Sequence, residues 1–445
     1  MKRFWVVLLA LGLTAAFSTA VFAVDLKFSG EYYAAGMYLD HASLQKNATA
    51  SGTSTAFYFQ RLRVRTDFTV AKGLTLITRF DAMERAWGAT RSTTQAAVDS
   101  AGTRFENENI AFDWAYIEYN SPIGIFSAGY MNFGSTGTIF GNNSAPQGRI
   151  KYSYLAGPVT INAAISKVKD QSRTAINAVN TVDADNDVYH LEGVYKWKSG
   201  RAGLNMNYYN YADNRPPLLT PLVAPYRRTY FLFTPYAMAK IGPVALQAEF
   251  NYLTGDDKYE DNGITPDVKL QNFSGWVDAT ADFGRFYAGG SAAYVSGNDP
   301  ATADKNEGGV ITGGRDWNPC LIMWNYDRTN WAGALAGWDG TAQDTAMANG
   351  WFLQVRGGVR PVEKLDIMAS FSWAHADKTL SAQWESRDYG YEVDLTATYK
   401  ITNNLSYMLG GGYLFAGDWY KGINAGGTNE IQNNFLVINK LTLTF

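Results

Sequence analysis

Apolar and polar residues alternate with a period of two along most of this chain, and no apolar stripe of helical period persists after the first two dozen residues. In the last segment Phe435, Val437, Leu441, Leu443 and Phe445 share one face, with Asn434, Lys440, Thr442 and Thr444 on the other. Val244, Leu246, Ala248, Phe250 and Tyr252 alternate likewise with Gln247, Glu249 and Asn251, and Leu365, Ile367, Ala369, Phe371 and Trp373 with Asp366, Ser370 and Ser372. Roughly eighteen such segments can be marked, each about 10–16 residues, the length of a tilted membrane-spanning strand. They begin near residues 26, 55, 73, 108, 123, 147, 158, 186, 201, 226, 243, 268, 285, 349, 364, 387, 404 and 432. The connections split into two classes. Eight are short and carry turn-forming Gly, Pro or Asn, such as Ala156-Gly157-Pro158 and Ile401-Thr402-Asn403-Asn404. The rest are long, polar and rich in Gly, Asn and Asp. Eight short turns and nine long loops close an even-numbered barrel with both termini at the short-turn end.

Hydrocarbon leaves no backbone polar group unpaired at low cost, so a membrane-spanning sheet must close and lose its edges. The pattern therefore predicts an all-β chain: a transmembrane antiparallel up-and-down β-barrel of 18 strands. Apolar residues then face lipid and polar residues a wet lumen, with Trp197, Tyr119, Tyr399 and Tyr195 in an aromatic girdle near the short turns. A secreted β-sandwich or propeller also alternates, but its strands are nearer five or six residues and its turns do not divide so regularly.

Composition narrows the class. Of 445 residues only 18% are charged while 15% are aromatic, and there are 43 Gly. Mean hydropathy is −0.21, too polar for a helical membrane bundle. With 38 Lys+Arg against 41 Asp+Glu there is no basic surplus for nucleic acid. One Cys excludes a disulfide framework. The N-terminus carries an address: basic Lys2 and Arg3, an apolar run from Phe4 to Phe17, and small residues around Val21-Phe22-Ala23. Residues 1–23 are thus expected to be a signal peptide, and residues 24–445 a single barrel domain with long extracellular loops, the longest about 297–348. The expected location is the outer membrane of a Gram-negative cell.

Tyr389 to Gly422 reads YGYEVDLTATYKITNNLSYMLGGGYLFAGDWYKG, with Gly390, Glu392, Asp394, Phe415, Gly417 and Asp418 at its marked positions. This stretch resembles the C-terminal part of the alginate-export-like outer-membrane barrels. The hairpin from Arg61 to Ala82, RLRVRTDFTVAKGLTLITRFDA, is similar to the Arg-rich second and third strands of that group, and the terminal Phe445 to the assembly signal of bacterial barrels. Together these motifs cover about an eighth of the chain. The resemblance implies an eighteen-stranded barrel and does not by itself license alginate as solute.

Parity supplies the lumen. On the second strand Leu62, Val64, Phe68 and Val70 face lipid, which sends Arg61, Arg63, Arg65, Asp67 and Thr69 inward. On the third, Thr75, Arg79, Asp81 and Arg85 are expected inside, so that five arginines converge on one wall. Arg149 with Lys151, and Arg356 with Arg360, face in by the same rule, opposed by an acidic wall of Glu249, Asp278, Asp282, Glu392 and Asp394. A field between such walls would sort solutes by charge; the alternative is that these groups pair to stiffen the barrel. The fourth strand leaves two readings. If Asp113 faces in, either a bulge shifts the parity or Glu118 lies at headgroup level.

The loop from Asn132 to Gln147 is a candidate constriction through Phe133, Phe140, Asn142 and Asn143, with a plain surface loop as the alternative. The longest loop is apolar for a solvated segment, with Trp317, Leu321, Ile322, Met323, Trp324, Trp331 and Trp338 around Cys320. The readings open to it are to plug the mouth, to cover the barrel end, or to contact a partner or the polysaccharide outside. Asp183-Ala184-Asp185-Asn186-Asp187 lacks the Gly and the twelfth-position Glu of a calcium loop. Three His at unrelated positions mark no hydrolase set, so no catalytic group, metal or cofactor is expected. The reading is a porin for passive diffusion of small hydrophilic, anionic solutes, in contact with outer-membrane lipid and not with nucleic acid. The alternatives are an export conduit for an anionic polysaccharide and a barrel or sheath around a partner protein. Oligomeric state stays open, with a monomer favoured.

Overall fold

A computed structural model describes residues 24–46, 54–88, 110–134, 136–142, 145–170, 184–215, 225–259, 265–311 and 313–445. The expected signal peptide, Asn143, Asp183 and parts of several long loops lie outside the described residues. Among those described, eighteen long strands form one antiparallel meander. The first nine are β1 (Asp25–Leu39), β2 (Thr55–Ala71), β3 (Leu74–Ala86), β4 (Ile110–Ser121), β5 (Gly124–Met131), β6 (Gln147–Ala156), β7 (Val159–Lys169), β8 (Asn186–Trp197) and β9 (Gly200–Tyr211). The second nine are β10 (Arg227–Ile241), β11 (Val244–Lys258), β12 (Val268–Asp282), β13 (Phe286–Val295), β14 (Gly350–Val362), β15 (Leu365–Ala376), β16 (Asp388–Lys400), β17 (Leu405–Ala416) and β18 (Asn434–Thr444). Each pairs with its chain neighbour. The sheet closes where β1 meets β18, in register from Glu31 opposite Thr444 to Leu39 opposite Leu436. Gly30 and Phe445 exchange backbone hydrogen bonds of 2.8 and 3.1 Å at the seam. Closure removes both edges, so the ladder satisfies the backbone where lipid could not.

The outside is a lipid surface. Ile117, Ile150, Ile165, Leu204, Leu395 and Leu409 stand exposed around it, with Tyr119, Tyr195, Trp197 and Tyr399 exposed near the short turns. Tyr58 stacks on Trp87 at the other rim, ring centroids 5.2 Å apart. Amphipathic rings belong at that depth. This apolar band on a closed barrel places the protein in the outer membrane.

Of the register shifts in the sheet, two bear on the arginine wall. Between Leu62, opposite Ala82, and Gln60, opposite Arg85, β3 gains a residue at Met83, whose φ is +52°. The extra residue turns Glu84 inward, where it is buried. Arg85 instead shares the face of Gln60, which accepts a hydrogen bond from Trp87 at the rim, so the expectation of Arg85 inside was wrong. On β4 the register slips between Arg79/Phe80 and Trp114/Phe112, leaving Asp113 as the bulged residue. The bulge decides the fourth strand: Asp113, Trp114, Tyr116 and Glu118 all face the lumen.

The longest loop turns into the barrel. Trp317, Cys320, Ile322, Met323, Trp324 and Trp331 form one buried cluster with inward residues of β1, β2, β14, β17 and β18, among them Met37, Phe59, Phe352, Leu414 and Ile438. Its helix α1 (Tyr326–Ala332) starts at Asn325, whose side chain accepts from the Arg328 backbone N–H. Trp331 on α1 stacks on Phe59 with centroids 4.6 Å apart. Trp338 donates to the Glu430 carbonyl of the neighbouring loop at 2.7 Å.

Candidate functional site

Two loops divide the lumen. The plug just described fills the side of β14–β18 and β1–β2. The loop between β5 and β6 crosses from the opposite direction, and its Thr138 backbone N–H and hydroxyl donate to the Glu249 carboxylate on β11 at 2.6 and 2.9 Å. Gly137, at φ +71°, permits that approach, because a Cβ there would lie 2.6 Å from a Glu249 oxygen. Phe140 is fully buried against Trp276 and Trp317, centroids 5.9 and 5.0 Å away. The crossing loop therefore touches both the far wall and the plug. Phe133 lies beneath Arg149 and Lys151 and stacks on His190 at 4.5 Å, and Asn142 reaches Asp316 of the plug at 3.3 Å.

On the β2–β4 wall the arginines point inward, each beside a carboxylate. Arg63 grips Asp81 with two bonds of 2.6 Å, Arg65 grips Asp67 at 2.7 and 3.1 Å, and Arg79 binds Asp113 at 2.9 and 3.0 Å. Arg61, 2% exposed, lies 3.5 Å from both Glu31 and Asp81. The Arg79 guanidinium stacks 3.7 Å above the Trp114 ring. A residue that parity could not find joins them: Arg315, from the plug, lies 3.5 Å from Glu84 and packs on Tyr33 and Tyr326. A cavity of about 520 Å³ opens between this wall and both loops. Its charged lining is Arg61, Arg63, Arg79 and Arg315 against Asp113 and Asp316.

An opposed acidic wall is not what forms. Asp278 on β12 binds Arg356 on β14 at 2.8 Å, and Asp282 binds Arg360 at 3.0 Å, so these charges cancel within their own wall. Glu249 is held by the crossing loop. Glu392 and Asp394, 0% and 3% exposed, lie on the inner face of β16 beneath the plug. Glu392 accepts the backbone N–H of Ile322 and Met323 at 2.6 and 2.8 Å. The two carboxylates and the Cys320 thiol have donor atoms within 4.8 Å of one another, the one convergence of metal-type donors among the described residues. The backbone of the plug already uses Glu392, so the cluster reads as an anchor.

Arg149 on β6 is spread over several acceptors, including the Met131 carbonyl at 3.0 Å and Ser166 at 2.7 Å. Here the register across β7, β8 and β9 assembles a trio that spacing in the chain conceals. Ser166 Oγ lies 2.9 Å from His190 Nε2, and His190 Nδ1 lies 2.6 Å from Asn207 Oδ1. The order is that of a hydrolytic triad. Ser166 is completely buried and its oxygen receives Arg149, so no acyl group reaches it and the trio stiffens the wall. Lys167 pairs with Asp185 and Asp187 of the acidic loop at 2.9 and 2.7 Å.

No protein-family model matches the chain, and no curated protein does. Solved structures do. Pseudomonas aeruginosa OccK9 (OpdG) superposes with a TM-score of 0.52 at 12% identity, over 94% of this chain and 99% of that one. Pseudomonas aeruginosa OpdK with vanillate gives a TM-score of 0.51 at 11% identity, over 94% and 99%. Membership of the alginate-export family is not shown by these likenesses. At such identity they establish the fold, and the chain has the fold of an outer-membrane porin-type channel.

Proposed function

We propose that the protein is a passive channel for small hydrophilic solutes and that it favours anions. The cavity beside β2–β4 supports this reading: four guanidinium groups and two carboxylates line it. Asp81 and Glu84, the carboxylates that pair with Arg61 and Arg315, have side chains only 12% and 4% exposed, against 25% for Asp113. A guanidinium fork binds a carboxylate or phosphate side-on, and several forks in a confined space pass an anion between them without holding it. Vanillate, with which OpdK was solved, is a carboxylate anion of this class. The inserted plug argues against a polysaccharide conduit and against a sheath, because both need an open bore.

The test is the zero-current potential of the purified barrel in a planar bilayer under a salt gradient. Arg63→Ala with Arg65→Ala should move it toward cations while the barrel still assembles. An unchanged ion preference in the assembled double variant would reduce these arginines to wall braces and remove the anion reading.

A further inference from the structure

The half of the lumen behind the crossing loop has different chemistry. Inner faces of β8–β12 line two adjoining cavities of about 320 and 300 Å³, with Leu232, Asn251, Val310 and Ile311 common to both. Near the long-loop end stands a tyrosine group: Tyr209 stacks on Tyr230 with centroids 4.3 Å apart and planes 13° apart, and Tyr211 meets both edge-on. Tyr209 and Tyr211 line the first cavity and Tyr230 the second. Below them the wall is amide and hydroxyl: Asn205, Asn207, Thr234 and Asn251, then Asn272 and Ser274.

The charges on this wall are held. Arg228 grips Asp257 at 2.6 and 2.7 Å, Glu249 is bound by Thr138 and Asn251, and Glu192 accepts from Tyr236 and Asn162. Two neutral groups are not. Among the described residues Asn205 Oδ1 and Ser274 Oγ find no hydrogen-bond partner, although the residues are only 7% and 2% exposed, and each lines one of the cavities. A buried polar atom without a partner is costly, and a hydroxylated solute supplies one. Stacked rings offer flat apolar faces to the C–H surface of a sugar ring, while amides bind its hydroxyls in either direction.

We infer that this chamber is a second solute site, specific for an uncharged polyhydroxylated molecule of sugar type, separate from the arginine passage. The crossing loop stands between the two: Asn132, Gly134 and Asn142 face the arginines, and Phe133, Gly137 and Gly141 face the tyrosines.

Sucrose, added to the intact barrel in a planar bilayer, is the probe. In the unaltered protein it should block, in a saturable way, the share of the potassium chloride current that passes through the chamber, beyond the fall in bulk conductivity. Tyr209→Leu with Tyr230→Leu should raise the half-blocking concentration at least fivefold and leave the zero-current potential where it was. Tyr209→Phe, which keeps the ring, should retain the block. Should the double variant fail to assemble, Asn205→Leu replaces it, with the same direction expected. Absence of saturable block in the unaltered barrel would overturn the proposal, and so would a block unchanged in the leucine variants. The anion reading fails separately, through arginine variants that do not move the potential.

Discussion

At the scale of single residues, the lumen shows how exposure decides what a charge does. Asp113 and Asp81 both neutralise arginines, with different expected consequences. The Asp113 side chain is a quarter exposed, and its partner Arg79 also rests on Trp114. Asp113→Asn should therefore leave assembly intact and shift the zero-current potential further toward anions, because one screening charge has left the cavity. Asp81 serves the fully buried Arg61 as well as Arg63. Removing one member of a buried pair strands the other, at a cost of about 3 kcal/mol even with Glu31 still near. Asp81→Asn should thus unfold at lower urea than Asp113→Asn when both are refolded into the same lipid, and equal midpoints would contradict this difference.

At the scale of elements, strands were legible in full and loops only as alternatives, for a physical reason. Lipid enforces strict alternation, so the segment starts read from the sequence fall within about two residues of the strands found. The bulge at Met83 escapes such reading, because its extra residue carries no compositional mark, whereas on β4 the conflict between Asp113 and Glu118 left a bulge as one of two readings. The plug did leave a trace. Tyr33, Ala35, Met37 and Leu39 point inward on β1, as do Leu436 and Ile438 on β18, which a merely wet lumen would not require. Arg315 and the Ser166–His190–Asn207 trio depend on contacts between distant segments, and no local pattern announces them. The plug also has a built-in reporter. Cys320 is buried, and burial holds its thiol well above the usual range, so it should resist a maleimide in the native barrel. Glu392→Ala removes the acceptor of two plug N–H groups and should expose Cys320 to labelling while raising single-channel conductance. Slow labelling and unchanged conductance in that variant would show that the aromatic packing alone seats the plug.

At the scale of the whole molecule, the sorting of connections fixes which end meets which compartment. Eight of the links are tight turns that need nothing from their surroundings, whereas the others carry the constriction, the plug and the tyrosine chamber's rim. A channel that selects what enters from outside should present the elaborated end there. Removal of the expected leader after Ala23 would leave β1 whole from Asp25, and the start of β1 pairs with Thr69 near the plain end. We therefore expect the short turns in the periplasm and the long loops outside. In a Cys320→Ser background, Gln383→Cys lies exposed in the loop after β15, and Ser199→Cys lies exposed in the turn between β8 and β9. A membrane-impermeant maleimide on whole cells should label the first and spare the second, while both react after the cells are broken. Labelling of Ser199→Cys on intact cells with Gln383→Cys protected would invert the barrel, and the plug and crossing loop would then guard the periplasmic mouth.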